Sequence, residues 1–565
     1  MRASLALLYR GMATVSSARN YAAAIDALNS LQSNAAVIEA IRKSGGKGGE
    51  AQMIESVEYL KRIGYTASDL DLFLPSSGRN HLNRLNVLHI TGTKGKGSTS
   101  AFTSSLLTTL APGAKVGLYT SPHLVAVRER IRINGQPIAE ETFAKYFWEV
   151  WDKLEADKQV WRICHPLTPE KPAYFRYLTI MAFHVFLQEQ VDATVLEVGV
   201  GGTYDSTNVV PQPIVTGVTP LGIDHIFVLG KTIPEIAHQK GGIYKPGVPA
   251  LAIEQPAEGL DVLRSRAAEL KASTFTVVPE HPQLRTVQLG LAGAHQRSNA
   301  SLALAIAQTF LSSPRLPPAF CSAAVATPHP TPSPENSEPP ALPLSLITPT
   351  PLPPKVLEGL VRTRWPGRCQ VASDPTEEKV TWYLDGAHTI ESLQCCGEWF
   401  GGAALSSCVA SAYRVHRSAP DLTSALLRRR SRSATRILIF NCTSGRSGLS
   451  LLGTLLSSLA PSSTLLSQPF HHVVFCTNTT YSSDLTSSAV DAKDLETLAV
   501  QRELAGAWEE LTTALPAARK ANVHVLGSIQ EAVELVRGQD GETQVLVTGS
   551  LHLVGGVMAV ADLPL

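Results

Sequence analysis

The run Gly92-Thr93-Lys94-Gly95-Lys96-Gly97-Ser98-Thr99 has the residue types that hold a polyanion. Glycines let backbone N–H groups turn toward phosphate oxygens, and a helix that begins there adds the positive end of its dipole. Lys96 can reach outer phosphates as a point charge, and Ser98 or Thr99 can face a magnesium ion. The strict P-loop spacing, four residues between the first glycine and the Gly-Lys pair, is absent, so a flexible Gly/Lys turn is the competing reading. Three other apolar runs end in polar groups. Residues 191–198 carry Glu197, residues 115–120 lead to Ser121 and His123, and residues 214–219 lead to Asp224 and His225. A carboxylate in a buried run is costly unless it meets a cation or a hydrogen-bond donor. Glu197 therefore reads as a cation ligand, against a helix cap or an internal salt bridge. Magnesium prefers oxygen ligands, so His225 alone reads as structural. Three strand ends each delivering a polar group are harder to dismiss than any one of them.

These groups need a scaffold that brings them together. Residues 85–91, 115–120, 191–198, 214–219 and 249–253 read as strands, and a helix is expected over about 99–110. Strands alternating with helices imply an α/β fold with a mainly parallel sheet. Ligands of such sheets lie beyond the carboxyl ends of the strands, which is where the polar groups fall. Ahead of them, Ala24, Leu28 and Leu31, then Ile54, Val57 and Leu60, fit two amphipathic helices. Gly45, Gly46, Gly48 and Gly49 between them read as a flexible connection. Residues 314–354 hold 14 of the 37 prolines, which predicts a disordered insertion. Beyond it, residues 380–384, 437–440, 472–475, 523–526 and 544–548 are strands of a second, smaller α/β domain. The predicted organisation is a targeting segment (1–20), a nucleotide-binding domain (21–311), the proline-rich insertion (312–355) and a C-terminal α/β domain (356–565).

Taken in order, the motifs resemble those of the folylpolyglutamate synthase family of Mur ligases, most closely its eukaryotic members. They are Ile90-Thr-Gly-Thr-Lys-Gly-Lys-Gly-Ser-Thr99, Ser121-Pro-His-Leu-Val125 with Arg128-Glu-Arg-Ile-Arg-Ile-Asn-Gly135, Leu196-Glu-Val-Gly-Val-Gly-Gly202, Tyr204-Asp-Ser-Thr-Asn208 and Leu221-Gly-Ile-Asp-His225. Gln239-Lys-Gly-Gly-Ile-Tyr-Lys245, His295-Gln-Arg-Ser-Asn299, Trp365-Pro-Gly-Arg368 and Tyr383-Leu-Asp-Gly-Ala-His388 complete the set. The resemblance implies a P-loop ATPase domain joined to a smaller α/β domain. It implies that ATP phosphorylates the terminal γ-carboxyl of a folate and that L-glutamate attacks the acyl phosphate. It implies that Gly92, Thr93, Lys94, Gly95, Lys96, Gly97 and Ser98 cradle the triphosphate, with Gln296 and Asn299 approaching the nucleotide. Arg368 and Asp385 of the second domain would reach ATP across the cleft, and Ser121, Glu197 and His225 would bind Mg2+. Lys96, His225 and Lys240 would serve the chemistry. Lys240 matches a lysine that relatives can carry as a carbamate, against an ordinary lysine, and a monovalent cation is a further candidate cofactor. Dihydrofolate synthase, or a bifunctional enzyme, shares the same ATP site and is the nearest rival; a P-loop switch without ligase chemistry is the rival of another class.

Composition narrows the remaining classes. The 565 residues are 44% hydrophobic and 17% charged, enough for a large core. Lys plus Arg number 49 against 48 Asp plus Glu, without the basic excess of a nucleic-acid binder. No apolar run is long enough to cross a bilayer, so no integral membrane association is expected. Eight cysteines without a CxxC pair fit free thiols in a reducing compartment. Residues 1–20 hold Arg2, Arg10 and Arg19 and no acid, the composition of a mitochondrial transit peptide or, by chance, of a plain tail. Met12 as a second start would give a cytoplasmic product as well. A monomer is expected.

Overall fold

The computed structural model describes residues 19–32, 49–65, 81–159, 161, 168–324, 339–414, 434–442, 447–459, 468–481, 498–513 and 520–564. Most of the predicted targeting segment lies outside these. At the centre of the first sheet is β1 (Val87–Thr91), buried along its whole length as a strand covered on both faces must be. It pairs in parallel with β5 (Ala193–Glu197) on one side and β6 (Val215–Val218) on the other, Ile90 opposite Glu197 and Thr91 opposite Val218. Outward from β5 lie β2 (Val116–Tyr119), β3 (Ile131–Ile133) and β4 (Gln136–Pro137); outward from β6 lie β7 (Pro249–Ile253) and β8 (Thr274–Val278). The β2–β3 and β3–β4 pairs are antiparallel and every other pair is parallel. The chain leaves β1 toward β2 on one side, whereas β6 follows on the other, which opens a crevice at the carboxyl ends.

Helices fill both faces. The first four are α1 (Tyr21–Asn29), α2 (Gly49–Arg62), α3 (Lys96–Leu110) and α4 (Glu140–Ala156). They are followed by α5 (Tyr174–Gln188), α6 (Ile226–Leu229), α7 (Ile233–Gly241), α8 (Ala257–Glu269) and α9 (Gln296–Leu311). Phe102 and Leu106 of α3 pack with Leu302 and Phe310 of α9 over one face, and α1, α2, α4 and α5 share a separate aromatic core with Tyr59, Phe147 and Phe183. The second sheet, ordered β13-β12-β11-β14-β10-β9, comprises β9 (Gln370–Ser373), β10 (Val380–Leu384), β11 (Thr435–Phe440), β12 (His472–Cys476), β13 (Asn522–Leu526) and β14 (Thr543–Thr548). Only its edge strand β9 is antiparallel. This is the expected α/β fold with a mainly parallel sheet and a second, smaller α/β unit. Among the described residues no helix is long and apolar enough to cross a membrane.

The proline-rich segment departs from expectation. Residues 325–338 lie outside the described residues, but both flanks are packed. Phe320 is fully buried with its ring edge-on to Phe310, centroids 5.0 Å apart. The Phe275 N–H donates to Pro340 O at 3.0 Å, and the Leu342 N–H to Thr276 Oγ1 at 2.7 Å, so the returning chain lies along β8. Proline serves here because the contact at Pro340 uses a carbonyl and no N–H. After the short α10 (Leu344–Ile347), α11 (Pro354–Arg362) starts on prolines, whose missing N–H costs nothing in a first turn. Ser105 Oγ of α3 donates to Gly359 O of α11 at 2.7 Å, and Val356 and Leu360 join the first core. The predicted boundary at 356 therefore falls inside a helix of the first unit, and the chain crosses over after Arg362. Of the glycine-rich connection only Gly49 is described, and it is corrected: it is the buried first residue of α2, against the Tyr204 ring, while Gly45, Gly46 and Gly48 lie outside the described residues.

Replacing Phe320 with alanine should lower the unfolding free energy by about 3 kcal/mol, as for other buried phenylalanines. Urea denaturation of the full chain measures it; no change would place Phe320 in an unpacked tail.

Candidate active site

The phosphate-loop candidate joins β1 to α3. Gly92 sits at φ +145° and a Cβ there would lie 1.8 Å from Thr219 Oγ1; Gly95, at φ +81°, would put one 2.2 Å from Asn299 Oδ1. Both positions demand glycine for backbone angle and for space. The loop is pinned from the β6 side. The Thr93 and Lys94 N–H groups donate to Pro220 O at 2.9 and 3.2 Å, and Thr219 Oγ1 donates to Lys94 O at 2.6 Å. That leaves the N–H groups of the first turn of α3, which have no intrahelical acceptor, facing the crevice. Lys96 Nζ folds back onto Gly92 O at 2.9 Å, and burial pushes its ammonium below the usual lysine range.

The acids stand around this loop. Glu197 at the end of β5 is 3% exposed, and its Oε2 accepts the Ser121 N–H at 3.1 Å. Burial pushes its carboxyl up to about 7, although Lys96 and the Ser121 N–H favour the charged form. Oε1 points the other way, 3.7 Å from where a Cβ on Gly97 would be. Asp224 pairs with Lys94 at 3.1 Å; burial opposes its ionisation, yet Lys94 and His225 hold the carboxyl down at about 2. His225 precedes α6 at φ +51°, and burial pushes its imidazole below the usual value, against Asp224. A neutral imidazole is the form that ligates a metal.

The predicted residues converge on one cavity of about 1050 Å³ between the two units. Thr93, Lys94, Gly95, Lys96, Gly97, Ser98, Ser121, Glu197, His225, Gln296 and Asn299 line it from the first unit, and Arg368 and Asp385 from the second. Gln296 Nε2 donates to Ser98 Oγ at 3.4 Å and Asn299 Nδ2 to Gln296 Oε1 at 2.9 Å, so α9 braces the start of α3. Asp385 Oδ2 accepts the Cys369 N–H at 2.8 Å and its Oδ1 accepts the Ala387 N–H at 2.9 Å. Arg368 donates to Gly367 O at 3.3 Å rather than to Asp385, so both face the cavity as separate groups.

Two expected members are placed differently. Gly92 and Lys240 do not line the cavity. Lys240 is 2% exposed beneath the loop, its Nζ donating to Gly92 O at 2.8 Å. In this arrangement it supports the loop from behind instead of facing reactants. Its ammonium is pushed well below the usual range by burial and by Lys96. Sequence reasoning assigned no role to Arg130, Phe175 or Tyr204, which also line the cavity. Arg130 and Tyr204 lie inside quoted motifs, but a motif does not say which way a side chain faces.

The donor set suits a hard cation. Glu197 has one carboxylate oxygen held by a backbone N–H and the other toward the loop, and Ser121 adds a hydroxyl on the same wall. Among the described residues no group of three or more His, Cys, Asp or Glu is placed to hold a metal. An ion here would be shared among a carboxylate, a hydroxyl, phosphate oxygens and water, which is how magnesium is usually bound.

No family model matches the chain. It is 42% identical over 555 residues to the folylpolyglutamate synthase of Saccharomyces cerevisiae (strain FostersO), covering 96% of this chain and 87% of that enzyme. Among solved structures it is similar to the Mycobacterium tuberculosis folylpolyglutamate synthase complexed with ADP and AMPPCP, at a TM-score of 0.57 and 21% identity over 91% of this chain and 99% of that one. The apo form of the L. casei enzyme aligns at a TM-score of 0.58 and 19% identity over 95% and 98% of the two chains.

Gly95→Ala should weaken binding of AMPPCP by at least about tenfold, roughly 1.4 kcal/mol, because the methyl group meets Asn299 and the backbone cannot keep φ +81° without strain. Isothermal titration calorimetry reads this directly; unchanged affinity would remove the loop from the nucleotide site.

Proposed function

The chain belongs to the folylpolyglutamate synthase family, and we propose that it forms an amide bond between L-glutamate and the terminal γ-carboxyl of a folate at the expense of ATP. The observation that carries this reading is that an anion-binding loop on one unit and Arg368 with Asp385 on the other face a single cavity. A carboxylate is a poor electrophile. Transfer of the γ-phosphoryl group to it creates an acyl phosphate, whose carbonyl carbon the glutamate amine attacks; the C–O bond to phosphate breaks and the amine proton is lost. Such chemistry asks the protein chiefly for alignment and charge.

Each group has a part in that alignment. The first turn of α3 presents N–H groups to the phosphates, and Lys94 and Lys96 supply positive charge beside them. Gln296 and Asn299 hold the start of that helix and approach the nucleotide. Arg368 contacts the triphosphate from the second unit, and Asp385 the nucleotide's donors. Ser121, Glu197 and His225 would hold Mg2+, which would offset phosphate charge when bound. Closure of the two units over the cavity excludes water, which would otherwise hydrolyse the acyl phosphate.

Mass spectrometry of a reaction holding tetrahydrofolate, ATP, magnesium and glutamate should show a ladder of glutamate additions. With dihydropteroate as the sole acceptor, product would identify the dihydrofolate synthase activity instead, and ATP hydrolysis without amide would refute ligation. Arg368→Ala should lower kcat by about 100-fold or more with the thermal midpoint unchanged. Loss of stability with full turnover per folded molecule would assign Arg368 a structural role.

A further inference from the structure

Arg130 is 3% exposed, ends the short turn Val127–Arg130 and stands in the cavity wall. Its Nε donates to His123 Nδ1 at 3.0 Å, and its guanidinium lies over the Phe175 ring, 5.2 Å from the centroid. Its Nη1 is buried without a hydrogen-bond partner, and no described carboxylate forms an ion pair with it. The neighbouring charges are committed elsewhere. Glu129 accepts the Leu124, Val125 and Ala126 N–H groups and lies 3.9 Å from Arg132. Arg176, on the same wall, is paired with Glu55 at 2.6 Å. Glu197 feels Arg130 but faces Lys96 more closely and belongs to the phosphate side. His123 meets Arg130 only through the Nδ1 acceptor and supplies it no carboxylate.

A buried guanidinium without a counter-ion is unfavourable, and its planar fork matches a carboxylate. We infer that Arg130 anchors a spectator carboxylate of a glutamyl unit, with His123 fixing the plane of the guanidinium and the Phe175 ring packed against it. The inference rests on the ligase reading above and names a contact which that reading lacks. Two sources present this chemistry. In the folate tail the γ-carboxyl reacts and the α-carboxylate is the spectator; in free L-glutamate the amine reacts and both carboxylates are spectators. Either one completes the ion pair that the protein leaves open.

The test uses the full chain, wild type with Arg130→Gln and Arg130→Lys, each checked for an unchanged thermal midpoint. KM is measured separately for tetrahydrofolate, L-glutamate and ATP. The expected result is a rise of at least about tenfold in KM for one carboxylate substrate, with the ATP value within about twofold; the affected substrate identifies the source. Lysine should not rescue, because a point charge lacks the fork. A second arm needs no variant: wild-type enzyme is offered the α-carboxamide analogue of the folate tail and the α- and γ-carboxamides of glutamate. One of them should lose at least about tenfold in kcat/KM. Folded variants with both KM values unchanged, or wild type that accepts all three amides as well as the acids, would overturn the inference while leaving the ligase reading intact. Wild type that forms no amide product at all would overturn both.

Discussion

Burying charge where β5, β1 and β6 end is the constraint on which the rest of this structure depends. Lys240, Glu197 and Arg130 are taken out of water there, and Lys96 is half-buried beside them. Two of the cations converge on one acceptor: Lys96 and Lys240 both donate to Gly92 O, from opposite sides of the loop. Burial lowers the basicity of both and Lys96 lowers that of Lys240 further, a repulsion that an incoming anion relieves. Glu197 offsets part of it and is itself held near neutrality by burial. A site so composed favours a ligand that brings several negative charges and a compensating cation.

Holding that arrangement requires rigid surroundings, and close packing supplies them. Gly217 of β6 lies so near α9 that a Cβ would meet Ile306 Cδ1 at 2.6 Å, and Gly117 of β2 is similarly close to Phe186 of α5. The strands bearing Thr219 and Ser121 are thus wedged against helices on the two faces of the sheet. Interiors packed in this way resist small displacements, which keeps the buried charges at fixed separations.

Much of this was legible in the sequence, for definable reasons. The buried parallel strands are short apolar runs with glycine or polar residues after them, and the runs at 115–120, 191–198, 214–219 and 249–253 correspond to β2, β5, β6 and β7. The helix expected from about 99 begins at Lys96 instead, because Gly95 in the left-handed region caps it. The hairpin β3–β4 went unread although Asn134-Gly135, at φ +50° and +80°, is a known turn signal. Strands of three and two residues are too short for periodicity to register. The proline-rich flanks were misread because composition reports what proline prevents, whereas carbonyls and first helical turns accept it. The position of Lys240 behind the loop was equally hidden: a motif fixes which residue is present, and only the crossing of α7 beneath Gly92 decides which side it approaches from.

The two units are joined through the same few residues that serve the site. Ser121 contacts Glu197 through its N–H, and three residues on, Leu124 packs into the core of the second sheet. Its carbonyl would lie 1.9 Å from a Cβ at Gly555, so the helix Leu551–Val560 can approach only because that position is glycine. Glu129 binds the intervening N–H groups and stiffens the segment. The crossing chain is fastened to the same place. Trp365 lies under the Arg132 guanidinium, 5.0 Å from its ring centroid, and its Nε1 is 3.1 Å from where a Cβ on Gly97 would stand. The contact that docks the second unit, the segment that tethers it and the wall of the phosphate site therefore share one short stretch, from Ser121 to Arg132. A change in the angle between the units cannot leave Ser121 and Gly97 undisturbed, which is the geometry required if closure is to complete a site whose charges come from both sides.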